Sequence, residues 1–340
     1  MSLNHLDISS AKLSNINPIK KLVNLDTLYL TSSKVSDISA IRGMKRLKNL
    51  YLGYTYVNDV SALSELTNLE NLELSNLKVK DISVLNKLSR LLYLNLSNIK
   101  VSSFDVIANF KRLNSLYLSY TRVSDLSFLT GLIHLSNLDL SGSGVYDIQP
   151  LQSLRRLESL YLTNTFISDL NPISELISLK TLYLGQTYVE DISPLANLMY
   201  LENIDLSNTL VKDITPLSNL TSLRYLNLAN TNLIDISALK DCYMLDYLCL
   251  SYTPLKSLNG IQSLEGLVTL DISNTNITDL SPLKNLARLE NIYASGSSIQ
   301  SLKPIMDMPL KAFYFYGCNI PQKEIDEFRQ INPYCYIDMY

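Results

Sequence analysis

Leu3 is followed by a leucine every 22 residues, at Leu25, Leu47 and onward to Leu289, and one further copy begins a residue early at Leu310. No insertion interrupts the spacing. A fixed short period constrains a chain more than any bulk property, because every copy must adopt the same local structure and stack on its neighbours. Length alone, 340 residues at about 150 per domain, predicts two or three globular domains. The period predicts instead a single stack of fifteen units, with the 67 leucines forming one extended core.

Counting the phased leucine as position 1, the unit reads L-x-x-L-x-L-x-x-T-x-V-x-D-I-x-P-L-x-x-L-x-x, as in Leu179, Leu182, Leu184, Thr187, Val189, Asp191, Ile192, Pro194, Leu195 and Leu198. The apolar spacing changes within each copy. L-x-L alternates at period 2, which describes a short strand with one face inward, and the later apolar positions 11, 14, 17 and 20 recur every three residues, which suits a tight 3₁₀ turn. One unit cannot bury seven apolar side chains by itself. Stacking therefore makes the strands a parallel sheet on the inner side, with the tighter returns outside.

These motifs resemble the leucine-rich-repeat family, specifically the 22-residue class of the phosphatase regulator Sds22 and of bacterial internalins, and the resemblance spans about residues 2–320. It implies an α/β leucine-rich-repeat solenoid, curved, with a parallel concave β-sheet and short 3₁₀ turns on the convex side. Residues 1–320 make fifteen repeats and residues 321–340 a helix-and-strand cap, in which Ile325, Phe328 and Ile331 share one side. It also implies a non-enzymatic scaffold that binds a protein partner through the concave sheet. A cell-surface adhesin fragment like the internalins and a phosphatase-regulatory subunit like Sds22 are the alternatives.

The chain departs from the family at position 9, where asparagine is usual. Here the column is Thr55, Thr121, Thr165, Thr187, Thr209, Thr231, Thr253 and Thr275, with Ser33, Ser143, Ser297 and Cys318. A hydroxyl under the turn can bond backbone groups that the parallel ladder leaves unpaired, so the column is read as structural. Ala11, Leu77 and Ile99 break it, and the last two with Ser103 and Phe110 make residues 77–110 the least regular stretch. Ten repeats carry Asp at position 13. Calcium would need six to eight converging oxygens, and D-I-S-P-L instead reads as an N-cap before a short helical turn.

Positions 3, 5 and 7 alternate with the buried leucines and so line the concave face. None of these 45 side chains is Lys or Arg. The position-5 column begins Asp7, Tyr29, Tyr51, continues Glu73, Asn95, Tyr117, then Asp139, Tyr161, Tyr183, then Asp205, Asn227, Cys249, and ends Asp271, Tyr293, Tyr314. An acid thus recurs every 66 residues. Together with Tyr225 and Tyr247 at position 3, this column, Cys249 apart, is the candidate partner-binding surface. Tyrosine offers apolar area and a hydrogen-bonding tip at low entropic cost, and the acids select a partner with a basic or amide-rich surface.

Charge is uneven. Residues 1–125 hold 16 basic and 10 acidic side chains against 13 and 22 in residues 126–340, and part of the excess is a position-10 column of Lys12, Lys34, Lys78, Lys100 and Arg122. Solvated flank residues explain that column, and a patch for an acidic partner is the sharper alternative. With a net charge of −3 the whole chain is no polycation, so no nucleic-acid partner is expected. Enzyme signatures are weak: His5 and His134 are the only histidines, and no phosphate-cradling glycine loop, H-E-x-x-H or C-x-x-C occurs. No cofactor or metal is expected, and no apolar run approaches a membrane span. Cys242, Cys249, Cys318 and Cys335 are scattered as in a reducing compartment, so a cytoplasmic location is expected, or a secreted one if a signal segment precedes Met1. The first repeat starts almost at once, at Leu3, and its open strand edge could support self-association.

Overall fold

The computed structural model describes residues 3–338, and Met1, Ser2, Met339 and Tyr340, the outermost residues of the expected solenoid and cap, lie outside the described residues. The chain divides into two units, Met1–Phe166 and Ile167–Tyr340.

In the first unit, eight three-residue strands run from His5–Asp7 to Ser159–Tyr161. Each pairs in parallel with the next at an offset of 22 residues, so that Leu28, Leu50, Leu72, Leu94 and Leu116 stand in register. All five are fully buried. Short 3₁₀ turns connect the strands, beginning with Asn17–Lys21 and ending with Gln149–Ser153. In the second repeat the four apolar positions of the return, Val35, Ile38, Ile41 and Met44, are at most 2 % exposed. Burying each such side chain contributes roughly 1.5–3 kcal/mol.

The irregular stretch keeps this geometry. Leu77, Ile99 and Phe110 are buried in place of the usual residues, Phe104 stacks on Phe128 at 6.1 Å, and Ser103 Oγ accepts the N–H of Asp105 at 3.0 Å, as an aspartate does elsewhere.

The second unit has the same plan, with parallel strands from Thr181–Tyr183 to Tyr336–Asp338. Leu182, Ile204, Leu226, Leu248, Leu270, Ile292 and Phe313 align, the last at an offset of 21 because the fifteenth repeat starts early. Helix α1 (Gln322–Ile331) opens after Pro321 and buries Ile325 and Phe328, the latter edge-on to Phe313 at 6.0 Å. Ile331, expected on the same side, is 45 % exposed. The final strand Tyr336–Asp338 pairs with Ala312–Tyr314.

Three local devices recur along the repeats. Position 8 takes a left-handed backbone throughout, with φ of 54–61° at twelve non-glycine residues and 65–78° at Gly142, Gly296 and Gly317. Asparagine and glycine tolerate this region, but Tyr54, Tyr120 and Tyr252 adopt it too, against the steric preference of a bulky side chain.

The position-9 hydroxyls turn back on the strand: all eight threonines donate Oγ1 to the carbonyl three residues earlier, at 2.6–2.8 Å. The aspartates at position 13 correct the N-cap expectation. The cap residue of these turns is the following apolar one, as Ile192 is for Ser193–Leu195, and the carboxylate reaches past it. Asp191 Oδ1 accepts the N–H of Ser193 at 2.8 Å and Oδ2 its hydroxyl at 3.0 Å, an Asx turn one residue ahead of the helix.

Candidate functional site

Parallel pairing leaves one backbone donor in each strand exit without a ladder partner. The N–H groups at positions 6 and 8 donate to the next repeat, as Leu30 does to Tyr51 and Ser32 to Gly53, and the position-7 N–H falls between them. The acids and amides of position 5 meet this need. Asp7, Asn95, Asp139, Asp205, Asn227 and Asp271 each accept the N–H two residues on, at 2.9–3.1 Å. Each side chain is thereby held against its own strand, and the second oxygen of Asp271 also accepts the Cys249 thiol at 3.5 Å.

Glu73 is different. Its longer side chain accepts Ser75 N–H at 2.8 Å through Oε1 and the previous repeat's Gly53 N–H at 2.6 Å through Oε2. It is only 8 % exposed. This takes Glu73 out of the expected contact surface, because its carboxylate is turned into the backbone.

The tyrosines form short ladders between those groups. In the first unit Tyr29 stacks on Tyr51 at 4.6 Å with nearly parallel rings, and Tyr93 meets Tyr117 at 5.4 Å. Burial, then Tyr29 and the Glu73 charge, push the Tyr51 phenol above its ordinary pKa, and burial raises Tyr93 and Tyr117 as well. Tyr161, the last strand residue of this unit, is half-buried.

In the second unit Tyr225 stacks on Tyr247 at 4.7 Å and lies 6.3 Å from Tyr183, which it reaches across the strand that carries Asp205. Burial first, and then the Asp205 charge, push the Tyr225 phenol up to about 12. Tyr247 shifts the same way, by burial and by neighbouring Cys249. A second ladder runs Tyr293, Tyr314, Tyr336, with spacings of 4.7 and 5.5 Å. Such offset stacks contribute about 0.5–1.5 kcal/mol per pair beyond area burial.

Position 3 supplies a feature that sequence reasoning missed. Asn71 Nδ2 donates to Asn49 Oδ1 at 2.6 Å, and Asn49 Nδ2 to Thr27 Oγ1 at 2.9 Å, so amides and hydroxyls hand hydrogen bonds from strand to strand. Asn203 with Thr181, and Asn291 with Thr269, do the same at 3.3 Å in the second unit. The signal was the in-register Thr-Asn pairing at that position. The face can therefore offer a partner aromatic area and pre-oriented acceptors, while much of its amide capacity is already used.

Cys242 and Cys249 are buried thiols, each pushed up to about 11 by burial. Among the described residues no three His, Cys, Asp or Glu side chains are placed to hold a metal ion, and no helix is long and apolar enough to cross a membrane.

A family model for leucine-rich repeats (two copies) matches residues 155–197 and 201–241. No curated protein matches the chain. Among solved structures it is similar to an internalin, InlF, of Listeria monocytogenes, with 29 % identity, 84 % of this chain and 85 % of that one covered, and a TM-score of 0.81. A leucine-rich-repeat protein of Leptospira interrogans is 24 % identical over 98 % of this chain and 95 % of its own, with a TM-score of 0.89. The plant peptide hormone receptor RGFR1, in complex with RGF2, shares 15 % identity over 90 % of this chain and 57 % of its own, with a TM-score of 0.71. The last two are likenesses of fold alone.

Proposed function

Because the chain is a leucine-rich-repeat protein, we propose that it is a non-enzymatic recognition scaffold whose open sheet face holds a protein partner. The observation that carries this reading is the run of Tyr183, Tyr225 and Tyr247 beside Asp205. There, half-buried Tyr183 and Tyr225 on the adjoining strands flank a carboxylate already fixed by Ser207 N–H at 2.9 Å, and Tyr247 extends the stack from Tyr225. Rigid aromatic area beside a pre-oriented acceptor suits a peptide backbone or a basic side chain, because little side-chain entropy remains to be lost on binding. The RGFR1 complex with RGF2 supports a proteinaceous ligand for this fold.

A surface adhesin is the narrower reading favoured by the 29 % identity to an internalin. The cytoplasmic alternative draws support from the four free cysteines, two of them buried.

Site-specific photocrosslinking tests the assignment. A photoreactive phenylalanine at Asn227, on the strand that carries Tyr225, should capture the partner in the source cell, and the same group at Lys240, on a return, should not. Replacing Tyr183, Tyr225 and Tyr247 with serine should abolish capture while circular dichroism stays unchanged. Capture from Lys240 alone, or survival of binding in the triple variant, would reject the sheet face.

A further inference from the structure

The position-10 cations of the first unit have no role on the sheet face, and their surroundings show a second surface. Lys78, Lys80, Lys100 and Arg122 are exposed, and none is in an ion pair among the described residues. Lys78, Lys80 and Lys100 line a shallow hollow of about 410 Å³ with Asn76 and Asn98. The two asparagines lie in the left-handed turns of adjacent repeats and bond to each other, Asn98 Nδ2 to Asn76 Oδ1 at 2.7 Å. Asp59 and Asp81 share the adjoining hollow with Lys78 and Lys80, but their oxygens are bonded to Ser61 and Ser83 and neither forms an ion pair with a lysine among the described residues, so the ammonium groups stay free to meet a ligand.

Exposed aromatic rings frame the patch at both ends. Tyr54 and Tyr56 occupy the repeat before it, and Tyr120 the repeat after Asn98, each at least 60 % exposed. Tyr54 and Tyr120 keep a left-handed backbone that disfavours bulky side chains, and the Tyr120 ring sits where a Cβ on Gly142 would stand, 2.6 Å from its Cδ1. The cations, amides and rings together make an electropositive strip with hydrogen-bonding edges and aromatic borders.

We propose that this flank, from Tyr54 to Arg122, is a second contact surface that takes an acidic peptide segment of a protein partner, independently of the sheet face. Charge complementarity selects the occupant. Four cations on three successive repeats span only about 10 Å at ~4.8 Å per strand, which matches a few carboxylates on an extended segment. A polynucleotide tract would call for a longer basic stripe on a basic domain. Lysine stems are long enough to absorb the mismatch between repeat spacing and peptide spacing, and the asparagine edges can pair with the peptide backbone.

Fluorescence polarisation of the full chain with a labelled Asp/Glu-rich octapeptide tests the proposal, beside its Asn/Gln counterpart and an eight-nucleotide oligothymidylate. The acidic peptide should bind at least tenfold more tightly than the neutral one and weaken severalfold between 50 and 300 mM salt. Charge reversal in K78E/K100E and neutralisation in K78Q/K100Q should each cost at least tenfold, with unchanged thermal unfolding. K78R/K100R should bind as the parent does. The sheet-face variant Tyr183, Tyr225 and Tyr247 to serine should leave peptide binding intact, which separates this proposal from the sheet-face reading. Equal binding of the two peptides, full affinity in K78Q/K100Q, or binding of oligothymidylate in preference to the acidic peptide would overturn it.

Discussion

The Glu73 carboxylate accepts the Gly53 N–H at 2.6 Å, and a Cβ on Gly53 would stand 2.2 Å from Glu73 Oε2. One repeat therefore requires glycine because the next carries a glutamate where aspartate is the rule. Gly53→Ala should expel the carboxylate, leave buried donors unpaired and destabilise the chain by roughly 1–3 kcal/mol. Gly185 is the control, since its Cβ would meet Ser207 Oγ at 3.0 Å and Asp205 Oδ2 at 3.3 Å, contacts that a small rotation relieves. Urea unfolding of both variants measures the difference. Equal midpoints would show that Glu73 adapts without cost.

The position-9 column makes a second, graded case. Thr187 Oγ1 donates to Leu184 O at 2.6 Å, whereas the buried hydroxyls of Ser33 and Ser143 have no partner. Thr187→Val keeps the shape and loses the bond, so it should cost about 1 kcal/mol. Ser143→Ala removes an unsatisfied group and should be neutral or stabilising by a few tenths of a kcal/mol, despite the same burial. Denaturant midpoints of the two variants should move in different directions or by clearly different amounts.

Much of this architecture was legible in the spacing, because period 2 followed by period 3 can only be satisfied by a strand and a tight return, and Leu182 and Leu195 occupy the buried places their phase demanded. The threonine column was legible for a similar reason, as a polar residue in an apolar phase needs a partner. The left-handed turn at position 8 was not, since Ser10, Tyr54 and Gln186 obscure the asparagines that would have signalled it. The position-5 acids read as ligand groups because nothing in one sequence shows which backbone donor the parallel ladder strands. Asp205 and Asp271 answer a structural need first, and the second oxygen of Asp271 also accepts the Cys249 thiol at 3.5 Å. Both oxygens of Glu73 are spent on backbone donors.

Acid should unfold the chain through the Asx turns. Bonds from the serine two residues on, backbone N–H first, lower the Asp37, Asp81, Asp191 and Asp235 carboxyls, and the Ser281 hydroxyl and then its N–H lower Asp279. A folded pKa below the unfolded value of about 3.9 favours the native state fully above that pH. The contribution is then lost as pH falls through the folded value. The thermal midpoint should hold from pH 7 to about 5 and drop below about 4, and Asp→Asn at these five positions should flatten that acid limb. An unchanged acid limb would assign it to other carboxylates.

Alkali should report on the tyrosine cluster with the opposite sign. The Tyr225 phenol is raised to about 12 by burial and then by Asp205, against an unfolded value of about 10. Stability from keeping it neutral is complete below the unfolded pKa and is lost as pH rises through the folded one. Absorbance at the phenolate band should therefore show a late-titrating class in the native protein that Tyr225→Phe diminishes. Asp205→Asn should move the same class to lower pH, because the carboxylate opposes a second negative charge beside it. A protein partner that presents a basic group to Asp205 would do likewise in the complex, so the position of this class becomes a spectroscopic readout of occupancy of the sheet face. If Tyr225→Phe removes only early-titrating absorbance, the ring is more open to water than its stacking on Tyr247 at 4.7 Å indicates.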